Sequence, residues 1–190
     1  MKTEQFFFAA LLAVCTLSMT ALTSCGEKNK PSDPTTPTTP TEVKPVAALM
    51  DMSVMFSEKT LEIFDISFDY LDENGQKKSD KVKSSPWNVK VQSTGLPAKL
   101  GFYMNVAIKE GLDRSKYESF ELDFRFSELN CLVDADGKQL GVNHGGEAGF
   151  RQGLLMSAID YYVNEAYPNH PFSSLHSYDA NGNWTLQNWE

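Results

Sequence analysis

The sequence has 190 residues and a formal net charge of −8 at pH 7, and 41% of its residues are hydrophobic. The acidic balance, without a basic patch, gives no electrostatic support for contacts with a phosphate backbone, so nucleic acid is not expected as a partner.

The first 24 residues have the features of a secretion signal. Lys2 and the free amine supply positive charge, and an apolar run over residues 6–14 follows. Polar residues interrupt its continuation, which leaves it too short for a spanning helix of roughly 20 apolar residues. Residues 1–24 are therefore predicted to be a signal peptide that is removed.

The segment that follows the apolar run, Leu22-Thr23-Ser24-Cys25, resembles the lipobox of bacterial lipoproteins. The resemblance implies that Cys25 is alkylated with diacylglycerol and becomes the N-terminus of the mature protein. Several acyl chains, at about 0.8 kcal/mol per buried methylene, anchor a protein permanently. Gly26 stands where some lipoproteins carry the aspartate that retains them in the inner membrane, so the resemblance implies an outer-membrane lipoprotein facing the periplasm or the cell surface. The alternative is an ordinary secretion signal that contains a cysteine.

Residues 25–45 are predicted to be a lipid-anchored linker rich in proline and threonine. Between Pro31 and Pro45 there are five prolines and one aliphatic side chain. Such a segment buries too little apolar surface to offset its ordering entropy, and at about 3.1 Å per residue it would act as an extended spacer. Residues 46–190 then have the size of one domain with a single core.

Strict alternation of apolar and polar residues dominates this domain and predicts half-buried strands. One apolar face and one polar face are typical of antiparallel sheets. The alternating runs begin at Met50, Phe64, Trp87, Leu100 and Phe120, and a terminal strand is predicted over residues 184–189.

The apolar positions change parity after Phe126, from even numbers to Leu129, Cys131 and Val133. This change predicts a bulge or tight turn at residues 127–128. Cys15 leaves with the signal and Cys25 carries lipid, so Cys131 has no disulfide partner and is predicted to be a small buried strand residue.

Three similar turns separate predicted strands, at residues 72–75, 134–137 and 179–182, each beginning with aspartate and ending with glycine. Asn-Gly and Asp-Gly tolerate the positive φ values of hairpin turns, so three hairpins are predicted. The first returns through a lysine-rich strand suited to an exposed sheet edge. A calcium loop at residues 134–137 is the alternative, but Lys138 occupies the next ligand position.

One segment departs from the alternation. Over residues 147–167, apolar side chains recur at helical spacing, and Pro168 ends the run. The spacing predicts one amphipathic helix packed against the sheets. Hairpins and strands at these intervals predict a mainly β fold, a two-layer antiparallel β-sandwich with one amphipathic helix, and a closed barrel is the competing architecture.

The sequence also resembles small uncharacterised β-sandwich lipoproteins of the Bacteroidota over residues 60–110. The resemblance rests on the run from Phe68 to Gln76, on a Pro-Trp strand, and on Gly95-Leu96-Pro97-Ala98. It implies an immunoglobulin-like domain and supplies no catalytic residues.

A search for chemistry gives no catalytic signature. There is no Gly-x-Ser-x-Gly elbow, so the domain is predicted not to be an enzyme. His144 and Glu147, joined by His170 or His176, could hold zinc, but two adjacent glycines make this loop flexible and no helical His pair exists. Neither a metal site nor a cofactor is therefore predicted.

Three aromatic residues are candidates for ligand binding. Tyr103 falls on the outward parity of its strand, and Trp184 and Trp189 have opposite parity. Exposed rings could stack on sugars, although packing at the ends of the sandwich is the favoured interpretation. The leading hypothesis is a non-enzymatic, membrane-anchored domain that binds a glycan or another envelope protein. The alternatives are an envelope hydrolase with an unrecognised cleft, and a structural or assembly subunit.

Overall fold

The computed structural model describes residues 43–189 of the chain. The predicted signal peptide, Cys25 and residues 25–42 of the predicted linker lie outside the described residues, as does the last residue. Among the described residues, no helix combines the length and apolar character needed to cross a bilayer.

Two antiparallel sheets pack face to face and form a two-layer β-sandwich, as the alternation predicted. Their strands are β1 (Ala47–Phe56), β2 (Phe64–Leu71), β3 (Lys77–Lys81), β4 (Trp87–Gln92), β5 (Ala98–Ile108), β6 (Ser119–Val133), β7 (Gln139–Leu155), β8 (Ser173–Tyr178) and β9 (Trp184–Gln187). One sheet has the order β4-β1-β6-β7 and the other the order β3-β2-β5-β8-β9. The lysine-rich β3 is an exposed edge strand, as predicted.

The core lies between the sheets and is built from even-numbered side chains of β1, β2, β5 and β6 and from odd-numbered side chains of β4. Phe68 and Trp87, from opposite sheets, stack with ring centroids 3.9 Å apart. The Trp87 indole Nε1 donates to Asp80 Oδ2 at 2.9 Å, so its polar atom is satisfied. The predicted runs supply most of the core, including Met50, Met52, Val54, Phe64, Ile66, Leu100, Phe102, Met104, Phe120, Leu122 and Phe124.

Short helical segments connect strands where the chain passes from one sheet to the other. Helix α1 (Glu58–Ile63) follows β1, and the Ser57 hydroxyl accepts from the backbone N–H of Thr60 at its N-terminus. A 3-10 turn (Arg114–Lys116) precedes β6. Residues 156–169 are helical with 3-10, α and π geometry in succession, and they bury Ile159, Tyr162 and Tyr167.

The prediction of one helix over residues 147–167 is wrong in its first half. Strand β7 continues to Leu155, and its Phe150 pairs with Phe124 of β6. Phe150 and Leu154 are four residues apart, a spacing that also places two side chains on one face of a strand. The glycines of this segment disfavour a helix, so the hairpin with β6 decides its structure.

The predicted bulge at residues 127–128 is also wrong. β6 pairs with β1 in one continuous register, from Val133 opposite Ala47 to Phe124 opposite Phe56. The even positions therefore keep facing the core, and Glu128 takes the next core-facing position. Register shifts occur instead between β6 and β7, at residues 130–133.

The apolar residues that suggested the parity change face away from the main core. Cys131 and Val133 pack with Ala47 and Leu49 in a second, smaller cluster on the outer face of β1 and β6. Cys131 is fully buried there, as predicted for a strand residue.

All three predicted hairpin turns are present. In each turn the Oδ1 atom of the first aspartate accepts hydrogen bonds from the backbone N–H groups two and four residues later, at 2.8–3.0 Å. The closing glycines, Gly75, Gly137 and Gly182, have φ values of 73°, 77° and 83°. Glycine populates this left-handed region without steric cost, which fixes the identity of the last turn residue.

The three turns lie at one end of the sandwich, where the described chain also begins. The Val46 backbone N–H donates to the Val133 carbonyl at 2.9 Å, beside the second turn. A Cβ atom built on Gly182, in the third turn, would lie 3.0 Å from Pro45 Cγ. β2 and β8 both run antiparallel to β5, so the first turn lies at the same end as the third. The helices connect strands at the opposite end.

Candidate functional site

Five polar residues meet between the two sheets in a region otherwise filled by apolar side chains. Glu128 and Asn130 lie on core-facing positions of β6, and His144 is opposite Asn130 on β7. Ser174 and His176 lie on β8 of the other sheet. These five residues are called the polar cluster.

The members of the polar cluster contact one another directly. His176 Nε2 lies 3.5 Å from Glu128 Oε1, and His144 Nε2 lies 3.9 Å from Glu128 Oε2. Asn130 Nδ2 donates to Glu128 Oε1 at 2.6 Å. The Ser174 hydroxyl lies 2.7 Å from His176 Nε2. Two imidazole rings and one carboxylate thus converge on one point between the sheets.

Burial is uneven across the polar cluster. The side chain of His176 is fully buried and that of Glu128 is 5% exposed, whereas the side chain of His144 is 47% exposed on the edge strand β7. Burial alone would raise the pKa of Glu128, but hydrogen bonds from His176 and Asn130 and the charges of both histidines outweigh it and hold that pKa below its ordinary value. Glu128 is therefore a buried carboxylate that stays ionised.

Two polar atoms of the polar cluster have no hydrogen-bond partner among the described residues, Asn130 Oδ1 and His176 Nδ1. Buried polar atoms without partners are uncommon because each costs free energy. The Trp184 ring closes this side of the polar cluster, with its centroid 5.5 Å from that of His176 and 6.4 Å from that of His144.

The zinc alternative considered from the sequence named only part of this arrangement. His144 and His176 do come together, with ring centroids 5.2 Å apart. Glu147 does not join them, because it lies opposite Ser127 farther along β7. His170 is exposed after the helical segment. The third member is Glu128, which the sequence analysis missed.

A second candidate site lies on the outward face of the five-stranded sheet, near the turn end. It is a groove lined chiefly by Leu71, Lys77, Lys99, Leu175, Gln187 and Trp189, and it is called the outer groove. Lys77 Nζ lies 6.0 Å from the centroid of the Trp189 ring. Lys77 Nζ is also paired with Asp69 Oδ2 at 3.0 Å. The outer groove therefore combines an aromatic wall, an apolar floor at Leu175, the paired ammonium group of Lys77 and the ammonium group of Lys99.

The floor of the outer groove depends on a glycine. A Cβ atom on Gly101 would lie 2.3 Å from the Ser174 carbonyl oxygen and 2.8 Å from Leu175 Cα. Only glycine permits this close approach of β5 and β8.

The three aromatic candidates for ligand binding lie in different environments. Trp184 faces inward, opposite Tyr178, and packs on the core and on the histidines. Tyr103 is half-buried on the outward parity of β5, opposite Asp69 and Ser173, and does not line the outer groove. Of these three residues, Trp189 is the one that lines the outer groove.

The sequence has no match to a known protein-family model and no match among curated proteins. What the two candidate sites can do is therefore inferred from their own residues. The outer groove can stack a ring and donate hydrogen bonds from two lysines, and the polar cluster can hold a proton or a metal ion between its imidazoles and its carboxylate.

Proposed function

We propose that this chain is a lipid-anchored protein of the outer membrane whose β-sandwich domain is non-enzymatic and binds a glycan. The observation that carries the glycan assignment is the outer groove, in which Trp189 stands beside Leu175 and Lys77. The resemblance of residues 22–25 to a lipobox and the predicted linker that follows it support the anchor.

The chemistry of the outer groove favours an acidic sugar. An aromatic face packs against the C–H groups of a sugar ring, and binding sites typically combine apolar surface with a few polar groups that fix orientation. Lys99 adds an ammonium group with no ion-pair partner among the described residues, and Lys77 adds a second that is paired with Asp69 at 3.0 Å. We therefore expect glycans with carboxylate or sulfate groups to bind more tightly than neutral ones of the same length.

Titration of the purified protein with acidic and neutral polysaccharides tests this function. Trp189→Ala should weaken binding about tenfold, which corresponds to a stacking contribution of about 1.4 kcal/mol. The matched control is Tyr161→Ala, which removes another ring, 65% exposed, from the helical segment. Equal affinities of wild type and Trp189→Ala would refute binding in the outer groove.

Fractionation of cells tests the anchor separately. The wild-type protein should sediment with the outer membrane, and Cys25→Ala should not, because acyl chains on that sulfur supply the membrane affinity. Membrane association that survives Cys25→Ala would overturn the anchor without affecting the glycan assignment.

An assembly subunit is the second candidate function, and strand β7 favours it. β7 has 17 residues, lies at the edge of its sheet and is exposed along most of its length. It contains no proline and no lysine, the residues that commonly protect sheet edges from pairing with another chain. Concentration-dependent association in analytical ultracentrifugation, abolished by Val142→Lys at a position that is 62% exposed, would support this candidate.

A further inference from the structure

We propose that Glu128, His144 and His176 form a binding site for a first-row divalent transition metal, with zinc the best match. This site goes beyond the proposed glycan binding, since it lies between the sheets and shares no residue with the outer groove.

The spacing of the three ligand atoms approaches that of a tetrahedral zinc site. Zinc binds nitrogen and oxygen at about 2.0–2.2 Å, which places neighbouring ligand atoms roughly 3.3–3.5 Å apart. His176 Nε2 is 3.5 Å from Glu128 Oε1, and His144 Nε2 is 3.9 Å from the other carboxylate oxygen, Oε2. With one ligand atom taken from each residue, the three atoms lie within 4.8 Å of one another. A shift of about 1 Å by His144, on the exposed edge strand, closes the site.

The donor set selects the class of metal. Two imidazole nitrogens and one carboxylate oxygen suit zinc and its neighbours in the first row, whereas calcium and magnesium prefer sites made of oxygen alone. Cys131 supplies no sulfur, because it faces the opposite side of β6. Three protein ligands leave a fourth position, as in zinc sites that bind a water or a ligand atom.

The surroundings of Glu128 also suit a metal ligand. Its side chain is 5% exposed, and buried carboxyl groups are as a rule paired or coordinate a metal. Its partners within 4 Å among the described residues are Asn130 and the two histidines, with no lysine or arginine. An ion at this point would therefore have no lysine or arginine to displace.

One neighbour of the ligands resembles the supporting groups of metal sites. Asn130 donates to Glu128 Oε1 at 2.6 Å and holds the carboxylate in place, as groups that orient metal ligands do. The Ser174 hydroxyl and Asn130 Nδ2 lie 2.7 Å and 3.2 Å from His176 Nε2, so a metal ion bound by that nitrogen would replace these two contacts. Asn130 Oδ1, buried and without a partner among the described residues, adds one more oxygen beside the three ligands.

Trp184 provides a local signal for binding. Its ring centroid lies 5.5 Å and 6.4 Å from those of His176 and His144, so a paramagnetic ion between the histidines should quench its fluorescence. The test uses the purified full chain, stripped with a chelator, in calorimetric titrations with Zn²⁺ and fluorescence and absorption titrations with Co²⁺. We expect one zinc per chain from this site, quenching by Co²⁺, and a visible Co²⁺ spectrum of four-coordinate type.

The decisive variants replace single histidines with glutamine. His144→Gln changes a half-exposed ligand without disturbing the core and should weaken zinc binding at least tenfold. His170→Gln, at an exposed histidine outside the polar cluster, is the matched control and should leave the affinity unchanged. Trp184→Phe should remove most of the Co²⁺ quenching while zinc still binds.

Two results would overturn the proposal. One is the absence of zinc binding by the stripped wild-type chain. The other is binding that His144→Gln and His170→Gln weaken to the same extent, which would assign the metal to dispersed surface groups.

Discussion

His176 Nε2 lies 3.5 Å from Glu128 Oε1, and this contact crosses the gap between the two sheets. It joins β8 of the five-stranded sheet to β6 of the four-stranded sheet, at positions where the neighbouring strands place apolar side chains. Around these two residues the sheets are therefore joined by polar contacts, and loss of one polar side chain leaves the others without a partner.

Glu128→Ala should destabilise the fold in the presence of a chelator. Removing the carboxylate leaves His176 and Asn130 buried without their partner, which costs about 1–3 kcal/mol. The measurement is the free energy of unfolding from urea denaturation monitored by circular dichroism. Glu147→Ala, on an exposed position of β7, is the control and should cost less than about 0.5 kcal/mol. Equal losses in the two variants would show that the polar cluster contributes nothing to stability.

Gly101→Ala should also destabilise the protein, for a steric reason. The added Cβ would lie 2.3 Å from the Ser174 carbonyl oxygen, so β5 and β8 must separate, at a cost of about 1–3 kcal/mol. Gly149→Ala is the matched control, because its Cβ would meet nothing closer than 3.8 Å. The control should be neutral or stabilising by about 0.5–1 kcal/mol, since glycine weakens strands. A neutral Gly101→Ala would contradict the close approach of the two strands.

Asp72 should make stability depend on pH in the acid range. Backbone hydrogen bonds from Gln76 and Asn74, with help from Lys78, outweigh partial burial and hold the pKa of Asp72 below its ordinary value of 3.8. A carboxyl whose pKa is lower in the folded state stabilises the fold above pH 3.8, and this contribution is lost as the pH falls below that value.

Asp72→Asn isolates this contribution. The variant should be less stable than wild type at pH 7, and the difference should shrink as the pH falls below 3.8, as measured by thermal unfolding at several pH values. Asp136→Asn, at an exposed position of the second turn, is the control. A difference that stays constant between pH 7 and pH 2 would argue against the lowered pKa.

Cys131 should resist alkylation in the folded protein. Its side chain is fully buried, and burial raises the pKa of the thiol, so little thiolate is present and reagents cannot reach it. Labelling with iodoacetamide at pH 8, read from the Cys131 peptide by mass spectrometry, should be slow in buffer and fast in urea. Val142→Cys, opposite Cys131 on β7 and exposed, should label quickly in both. Rapid labelling of native Cys131 would show that the second cluster opens readily.

The fold could be predicted from the sequence because its core follows simple alternation. Phe120, Leu122 and Phe124 occupy every second position, and that period leaves few alternatives to a strand buried on one face. The turns were equally predictable, since an aspartate acceptor and a glycine with positive φ act within five residues. The helix was misplaced because residues 150 and 154 satisfy both the helical and the strand period.

The polar cluster could not be predicted in the same way. Glu128 and Asn130 face the core although they are polar. Because core positions are expected to be apolar, the apolar residues at 129, 131 and 133 suggested that the core-facing positions change from even to odd numbers. The partner His176 lies 46 residues beyond Asn130 and reaches it only through the packing of two sheets. One signal was present in the sequence, the continuation of the even-numbered series through residues 128 and 130.

The position where the described chain begins has a geometric consequence. Pro45 and Val46 lie beside the turns, and the helices are at the other end of the sandwich. The chain that precedes residue 43 therefore joins the domain at the turn end, and α1, the 3-10 turn and the helical segment lie at the end of the sandwich that is remote from this junction.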